Sequence, residues 1–411
     1  MTSTRRAALA TALVFAVNGL LLATWVARLP ATRDRLGASV AELGLVLLAP
    51  GIGSLLSMPF SGRWCRRFGS RRVVAATTVA SSVVLVLLAA VPTLVGLGLA
   101  LFVWGTFYGS WDVAMNVHGS AVEQRAGREW MPRYHACWSV GGIVGATLGA
   151  LAAALDIPLV LHFAAIAVAC VTLVGFALRS FIDDWEGREV WERREELGER
   201  SRSPEPGGEV VHSPRDRSRP RVLTGRLLVV GVVTLCATTV EGAAADWLAL
   251  FLTDERGATG SLAAFGYAVF AVAMAAGRFS GTAVAERLGR DGAVRAGGLV
   301  SAAGVLLTVV GPGLVTSYLG AALWALGVCL VFPAAVSAGG EAPYRPADAI
   351  AAVTTIGYGG FLLGPPLIGL LAEQVGLGRA LLVLLVLAAG IAALAPAVRP
   401  RRSPAAATTP P

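Results

Sequence analysis

The 411-residue chain predicts an all-α integral membrane protein, twelve transmembrane helices in two pseudo-symmetric six-helix bundles. Composition is the first ground: 55% of the residues are hydrophobic and 15% charged, against roughly 25% charged in soluble domains. A count of apolar runs is the second. The third is an internal repeat that relates the first half of the chain to the second.

Runs bounded by charge, Gly or Pro lie at 7–27, 41–62, 73–92, 94–118, 138–155 and 157–178. Six more follow at 226–252, 260–283, 292–313, 315–336, 349–372 and 376–397. These lengths suit a bilayer crossing, which takes about 20 apolar residues. The first run follows Arg5 and Arg6 and exceeds the apolar core of a secretory signal, so it reads as an uncleaved helix. The resulting divisions are an N-terminal bundle at 1–178, a linker at 179–222, a C-terminal bundle at 223–398 and a tail at 399–411. The linker contains RREELGERSRSPEPGGEVVHSPRDRSRPR, charged and Pro-rich, and is expected to be a disordered tether.

All 34 basic residues counted as Lys+Arg are arginine. With the N-terminus inside, 28 of them flank the inner ends of the runs and five the outer ends, while Arg278 lies within a run. Cytoplasmic loops carry such an excess, so both termini and the linker are expected in the cytoplasm, with the chain in the cytoplasmic membrane. The net charge of +8 comes from short clusters between apolar runs, which is a topology signal and not a nucleic-acid surface. Cys65, Cys137, Cys170, Cys236 and Cys329 are scattered without metal or disulfide spacing, and neither metal nor cofactor is expected.

The repeat is carried by three pairs. Trp104 and Trp324, and Gly69 and Gly289, are each 220 apart, and Gly142 and Gly360 are 218 apart, every pair in corresponding runs or loops. Parallel repeats of six spans, with a site at their interface near mid-membrane, are a transporter architecture.

Two loops sharpen this. Gly62 to Arg72 reads GRWCRRFGSRR after the second run, and Glu286 to Arg290 reads ERLGR after the eighth. Both resemble the signature loop of the major facilitator superfamily, in which an acid, its basic neighbours and a helix terminus latch the two halves. Gly62, Arg67, Gly69, Arg71 and Arg72 fit the first copy, but Arg66 occupies the acid slot and Ser70 replaces a basic residue. Glu286, Arg287, Gly289 and Arg290 fit the second copy, with Gly281 one residue from its expected position. A plain positive-inside loop is the alternative. WVARLP (25–30), WDVAMN (111–116), EGAAADW (241–247) and GYGGFLLGPP (357–366) further resemble a bacterial subgroup that includes rhizopine-transport-type proteins. The resemblance implies this superfamily's fold and secondary transport of a small polar or amphipathic solute, and leaves the cargo open. A drug or metabolite efflux pump is the alternative, although the Gly-Pro signature of proton-antiport drug exporters is missing from the fifth run. Solute, bilayer and protons are the expected partners, and the monomer the expected unit.

Candidate site residues come from polar groups inside runs, because an ionisable side chain in hydrocarbon is costly unless it faces a cavity or a partner. Trp104, Tyr108, Asp112 and Asn116 recur every four residues and form one stripe. Asp112 also has a reading as a structural hydrogen-bonding group near the inner helix end. His118, nearer that end, reads as a solvated interfacial histidine. Asn18, Trp25 and Arg28 share a face of the first run, where Arg28 either snorkels to headgroups or binds an anion. Tyr267, Phe270, Met274 and Arg278 form a stripe read as core packing, and Tyr358 sits among Gly357, Gly359 and Gly360. Glu241 falls almost at mid-span of the seventh run, with Thr234 and Thr238 on its face. It is the expected proton-coupling acid, with Asp112 and Asp246 as further ones and a permanently protonated or arginine-paired structural glutamate as the alternative. Clustered histidines, a nucleophile with its base and an HExxH pair are all missing, which argues against an intramembrane enzyme.

Overall fold

The computed structural model describes residues 3–38, 42, 45–182, 224–342 and 345–400. All regular secondary structure among them is helical. The first six spans are Ser3–Ala27, Ala49–Phe68, Ser70–Leu88, Leu94–Ala126, Met131–Ala154 and Leu159–Ala177. Those of the second half are Gly225–Asp254, Gly260–Leu288, Arg290–Val310, Leu314–Val328 continued by Val331–Gly340, Pro346–Val375, and Leu377–Leu381 continued by Val383–Leu394. Eleven helices are long and apolar enough by composition to cross a bilayer. The twelfth member, Ala49–Phe68, is lowered by Arg63, Arg66 and Arg67 in its last turns. Most of the expected linker and all of the tail from residue 401 lie outside the described residues.

Several helices outrun their apolar stretches, because a helix entering water continues as long as its polar residues keep helical propensity. The fourth span has 33 residues, about 50 Å at 1.5 Å per residue. Thr93 caps it, its Oγ1 accepting from Gly96 N at 3.1 Å, and left-handed Gly127 ends it at φ 64°. This length corrects the reading of His118. It stands two turns before the helix end, fully buried, its ring stacked on Phe181 at 3.6 Å and its Nδ1 3.2 Å from Ser70 Oγ.

Each half has its own core. One joins spans one to six around Phe15, Trp104, Trp111 and Phe163, and the other joins spans seven to twelve around Phe251, Phe270 and Trp324. Phe332, Val336, Ala347 and Ile350 of the second half enter the first core, which seals the halves together near the arginine-rich loops. That end is called the basic face below.

The repeat is visible in the backbone. Gly69 and Gly289 both turn the chain between spans at positive φ, 80° and 72°. A Cβ on Gly141 would lie 1.8 Å from Ala16 O, and one on Gly360 would lie 2.5 Å from Leu235 O. The interval from Ala16 to Leu235 equals that from Gly141 to Gly360, so the fifth span meets the first as the eleventh meets the seventh. The structural equivalent of Gly360 is therefore Gly141 and not its neighbour Gly142.

Candidate functional site

A polar seam runs between the two halves near mid-span. In the first half Asn18 Oδ1 accepts from Tyr108 Oη at 2.7 Å and from Trp138 Nε1 at 3.0 Å, which ties the first, fourth and fifth spans together. One turn along the fourth span, Asp112 lies buried, and the Tyr358 side chain interacts with its carboxyl from the eleventh span. Another turn along, Asn116 donates to the Asp112 carbonyl at 2.8 Å, while its Oδ1 is 3.3 Å from His135 Nε2. The His135 ring is held edge-on between Phe15 and Phe332, one from each half.

The seam then crosses to the second half through Ser139. Its hydroxyl donates to His135 O at 3.2 Å and accepts from Arg278 Nη1 at 2.9 Å. Arg278 Nη2 donates to Glu241 Oε1, also at 2.9 Å, and its Nε reaches Cys329 O at 3.4 Å. Glu241 is thus paired with a buried guanidinium, which offsets most of the cost of a carboxylate at that depth. Thr238 donates to Gly357 O at 2.6 Å and Thr234 to Val230 O at 2.7 Å, so both hydroxyls are used within the bundle. Asp246 is exposed, and Tyr267 lies within electrostatic reach of both Asp246 and Glu241.

Asn18, Tyr108, Asp112, Asn116, Tyr358 and Glu241 therefore line the junction, Asp246 is exposed, and the other three expected residues pack elsewhere. Trp25 packs on Phe163 of the sixth span at 6.3 Å. Arg28 is buried and donates to Ile157 O at 2.8 Å, so it does not snorkel. Trp104 stacks on Tyr108 at 5.0 Å from within the first core. The reason is helix crossing: the face that meets the fourth and fifth spans at Asn18 meets the sixth two turns farther on. Trp138, His135, Ser139 and Arg278 join the seam although sequence reasoning does not place them there. Of these only Arg278, an arginine inside a span, carries a signal in the sequence.

At the basic face the halves are tied by charge. Arg66 of the second span pairs with Asp348 in the first turn of the eleventh. Arg128 pairs with Glu286 at 2.8 Å, and Arg290 Nε donates to Glu129 at 2.9 Å while its Nη1 reaches Glu341 at 2.7 Å. Gly62 makes the contact possible, since a Cβ there would lie 2.7 Å from Ala347 O. Gly281, in the second copy, presses on Pro132 of the first half in the same way. The expectation for the basic residues needs correction. Arg71, Arg72 and Arg287 are exposed and form no ion pair among the described residues, and Arg67 lies over the Phe68 ring at 5.5 Å. Arg66, out of pattern in the loop, makes the contact instead, because its partner acid sits on the other half.

Residues 7–360 match the family model of the Major Facilitator Superfamily. The uncharacterized transporter y4wD of Sinorhizobium fredii is 34% identical over 94% of this chain and 96% of its own. Membrane protein MosC of Rhizobium meliloti is 29% identical over 92% of this chain and 86% of its own. Among solved structures the E. coli fucose:proton symporter FucP superposes with a TM-score of 0.73 at 14% identity, covering 97% of this chain and 100% of that one.

Proposed function

The chain belongs to the Major Facilitator Superfamily, a family of membrane transporters and not of enzymes, and on that premise we propose a mode of action. It moves a small polar or amphipathic solute across the cytoplasmic membrane by alternating access, coupled to protons. One observation carries this reading. Arg278 holds an acid of its own half, Glu241, and a hydroxyl of the other half, Ser139. Rocking of the halves about the seam must break the Ser139 contact, and the Glu241 pair travels with its half.

The basic face is the cytoplasmic one in this reading, since positive residues gather there, and the termini and linker lie on the same side. The pairs Arg66–Asp348, Arg128–Glu286 and Arg290–Glu129 then act as the inner latch. The conformation is the one closed to the cytoplasm. Consistent with this, the first and seventh spans share no packed stretch among the described residues, whereas the tenth and eleventh pack on the fourth near the basic face. Glu241, Asp112 and Asp246 are the acids available for coupling. Proton coupling has a parallel in FucP, a fucose:proton symporter of the same fold.

The test is solute-dependent proton flux in proteoliposomes, screened over sugar-like, inositol-like and amine compounds. Uphill solute movement that survives a protonophore would refute proton coupling. Flux insensitive to cross-linking of the latch would refute alternating access.

A further inference from the structure

We propose that Asp112 is the position at which the site receives a positive charge, either the coupled proton or the ammonium group of a solute. The inference rests on the transport reading above and identifies which acid does the work. It comes from comparing the carboxylates at the junction of the halves. Glu241 has Arg278, Asp348 has Arg66, Glu286 has Arg128, and Glu129 and Glu341 share Arg290. Glu123, as deeply buried as Asp112, accepts the N–H groups of Trp130 and Met131, each at 2.8 Å, at the amino end of the fifth span. Each of these has its compensating charge or backbone donors built into the chain.

Among the described residues Asp112 has neither a cation nor a backbone donor. It is 6% exposed, its Oδ1 is 3.4 Å from Asn116 Nδ2, and its Oδ2 has no hydrogen-bond donor among the described residues. The titratable groups facing it are Tyr108 on its own span, Tyr358 on the eleventh and, through Asn116, His135 on the fifth. No arginine pairs with it among the described residues, and Arg278 is held by Glu241, Ser139 and Cys329. A carboxylate so buried is tolerated when it is protonated or when a cation comes to it. The position suits either event, because Tyr358 approaches from the opposite half and must withdraw when the halves rock.

A second open group lies close by. Asn18 Nδ2, fully buried and without an acceptor among the described residues, belongs to the amide that holds Tyr108, one turn from Asp112. The pair offers an acceptor for an ammonium group and a donor for a hydroxyl or carbonyl on either side of a phenol. This favours an amino alcohol or a related polar amine over an anion.

The test uses the purified full-length protein in detergent. Infrared spectra recorded from acid to alkaline pH, compared between wild type, Asp112→Asn and Glu241→Gln, read the proton. A protonated-carboxyl band lost in Asp112→Asn and kept in Glu241→Gln identifies it. Thermal unfolding titrated with ethanolamine, choline and uncharged ethylene glycol reads the ammonium. A rise in melting temperature with the two amines only, lost in Asp112→Asn, identifies that source. Either result supports the assignment. A band that follows Glu241, or spectra and titrations that Asp112→Asn leaves unchanged, would overturn it. Should Asp112→Asn fail to fold, Asp112→Glu shifts the band and reads the same point. These are binding readouts, so their failure leaves the transport reading to stand or fall on solute flux.

Discussion

Arg66 pairs with Asp348 across the two halves, and its counterpart in the second half, Glu286, pairs with Arg128. Arg66 and Glu286 each stand three residues before a positive-φ glycine, Gly69 or Gly289. Arg128 and Asp348 are separated by the same interval as Arg66 and Glu286. The two contacts are therefore copies of one device with the charges exchanged. What counts as a departure from the signature loop when one strip of sequence is read alone is a complementary change when both halves are seen.

Exchanging the charges tests this device. Asp348→Arg sets two cations face to face and should shift the conformational balance away from the state closed at the basic face by about 1 kcal/mol, roughly fivefold. Arg66→Asp in the same chain should restore it. Spin-label distances between the ends of the first and seventh spans opposite the basic face would read the balance, and a double variant no closer to wild type than the single ones counts against the latch.

Arg290 serves two acids at once, Glu129 in one half and Glu341 in its own, and is itself buried. Arg290→Met leaves Glu129 without this cation and Glu341 with the more distant Arg226 at 3.9 Å, and should cost about 3 kcal/mol, the scale for breaking a buried pair. The expected reading is a drop in melting temperature larger than that caused by Arg71→Met or Arg72→Met, at exposed positions in the first turn of the third span.

Glu241→Gln strands the Arg278 guanidinium at mid-span. The single variant should lose about 3 kcal/mol of stability, while Glu241→Gln with Arg278→Gln recovers most of it. Thermal unfolding of the two proteins side by side would show whether the pair behaves as a unit.

Adjacent glycines should respond differently. A Cβ at Gly141 would come within 1.8 Å of backbone, while at Gly142 the nearest atom is 4.0 Å away. Gly141→Ala should separate the first and fifth spans and cost about 2 kcal/mol or more, and Gly142→Ala should be silent. The same contrast is expected in the other half between Gly360→Ala and Gly359→Ala, where the nearest atom is 3.7 Å away and belongs to a side chain. Membrane yield and size-exclusion profile would separate the outcomes.

Part of the seam is legible in the sequence alone. Asp112, Asn116 and Glu241 stand out because a polar residue within an apolar run must find water or a partner. Their partners are not legible. The fifth helix begins at Met131, ahead of its apolar run at 138–155, so the sequence makes His135 look like loop and leaves Trp138 at the very edge of the span. Arg278 sits in a stripe that reads as core packing. Trp25, Arg28 and Trp104 carry the right chemistry on the right face, and the crossing of helices turns them to other neighbours.

The number of helices, their arrangement in two related sets, the basic ends and the residues at costly depth are all written in the chain itself. Each follows from local composition, since hydrocarbon allows a spanning segment little except an apolar helix. That Glu241 has a resident cation while Asp112 has none among the described residues, and that Arg66 finds its acid on the far half, emerges only when the helices pack. Those are relations between segments distant in the chain, and no periodicity or spacing within one helix records them.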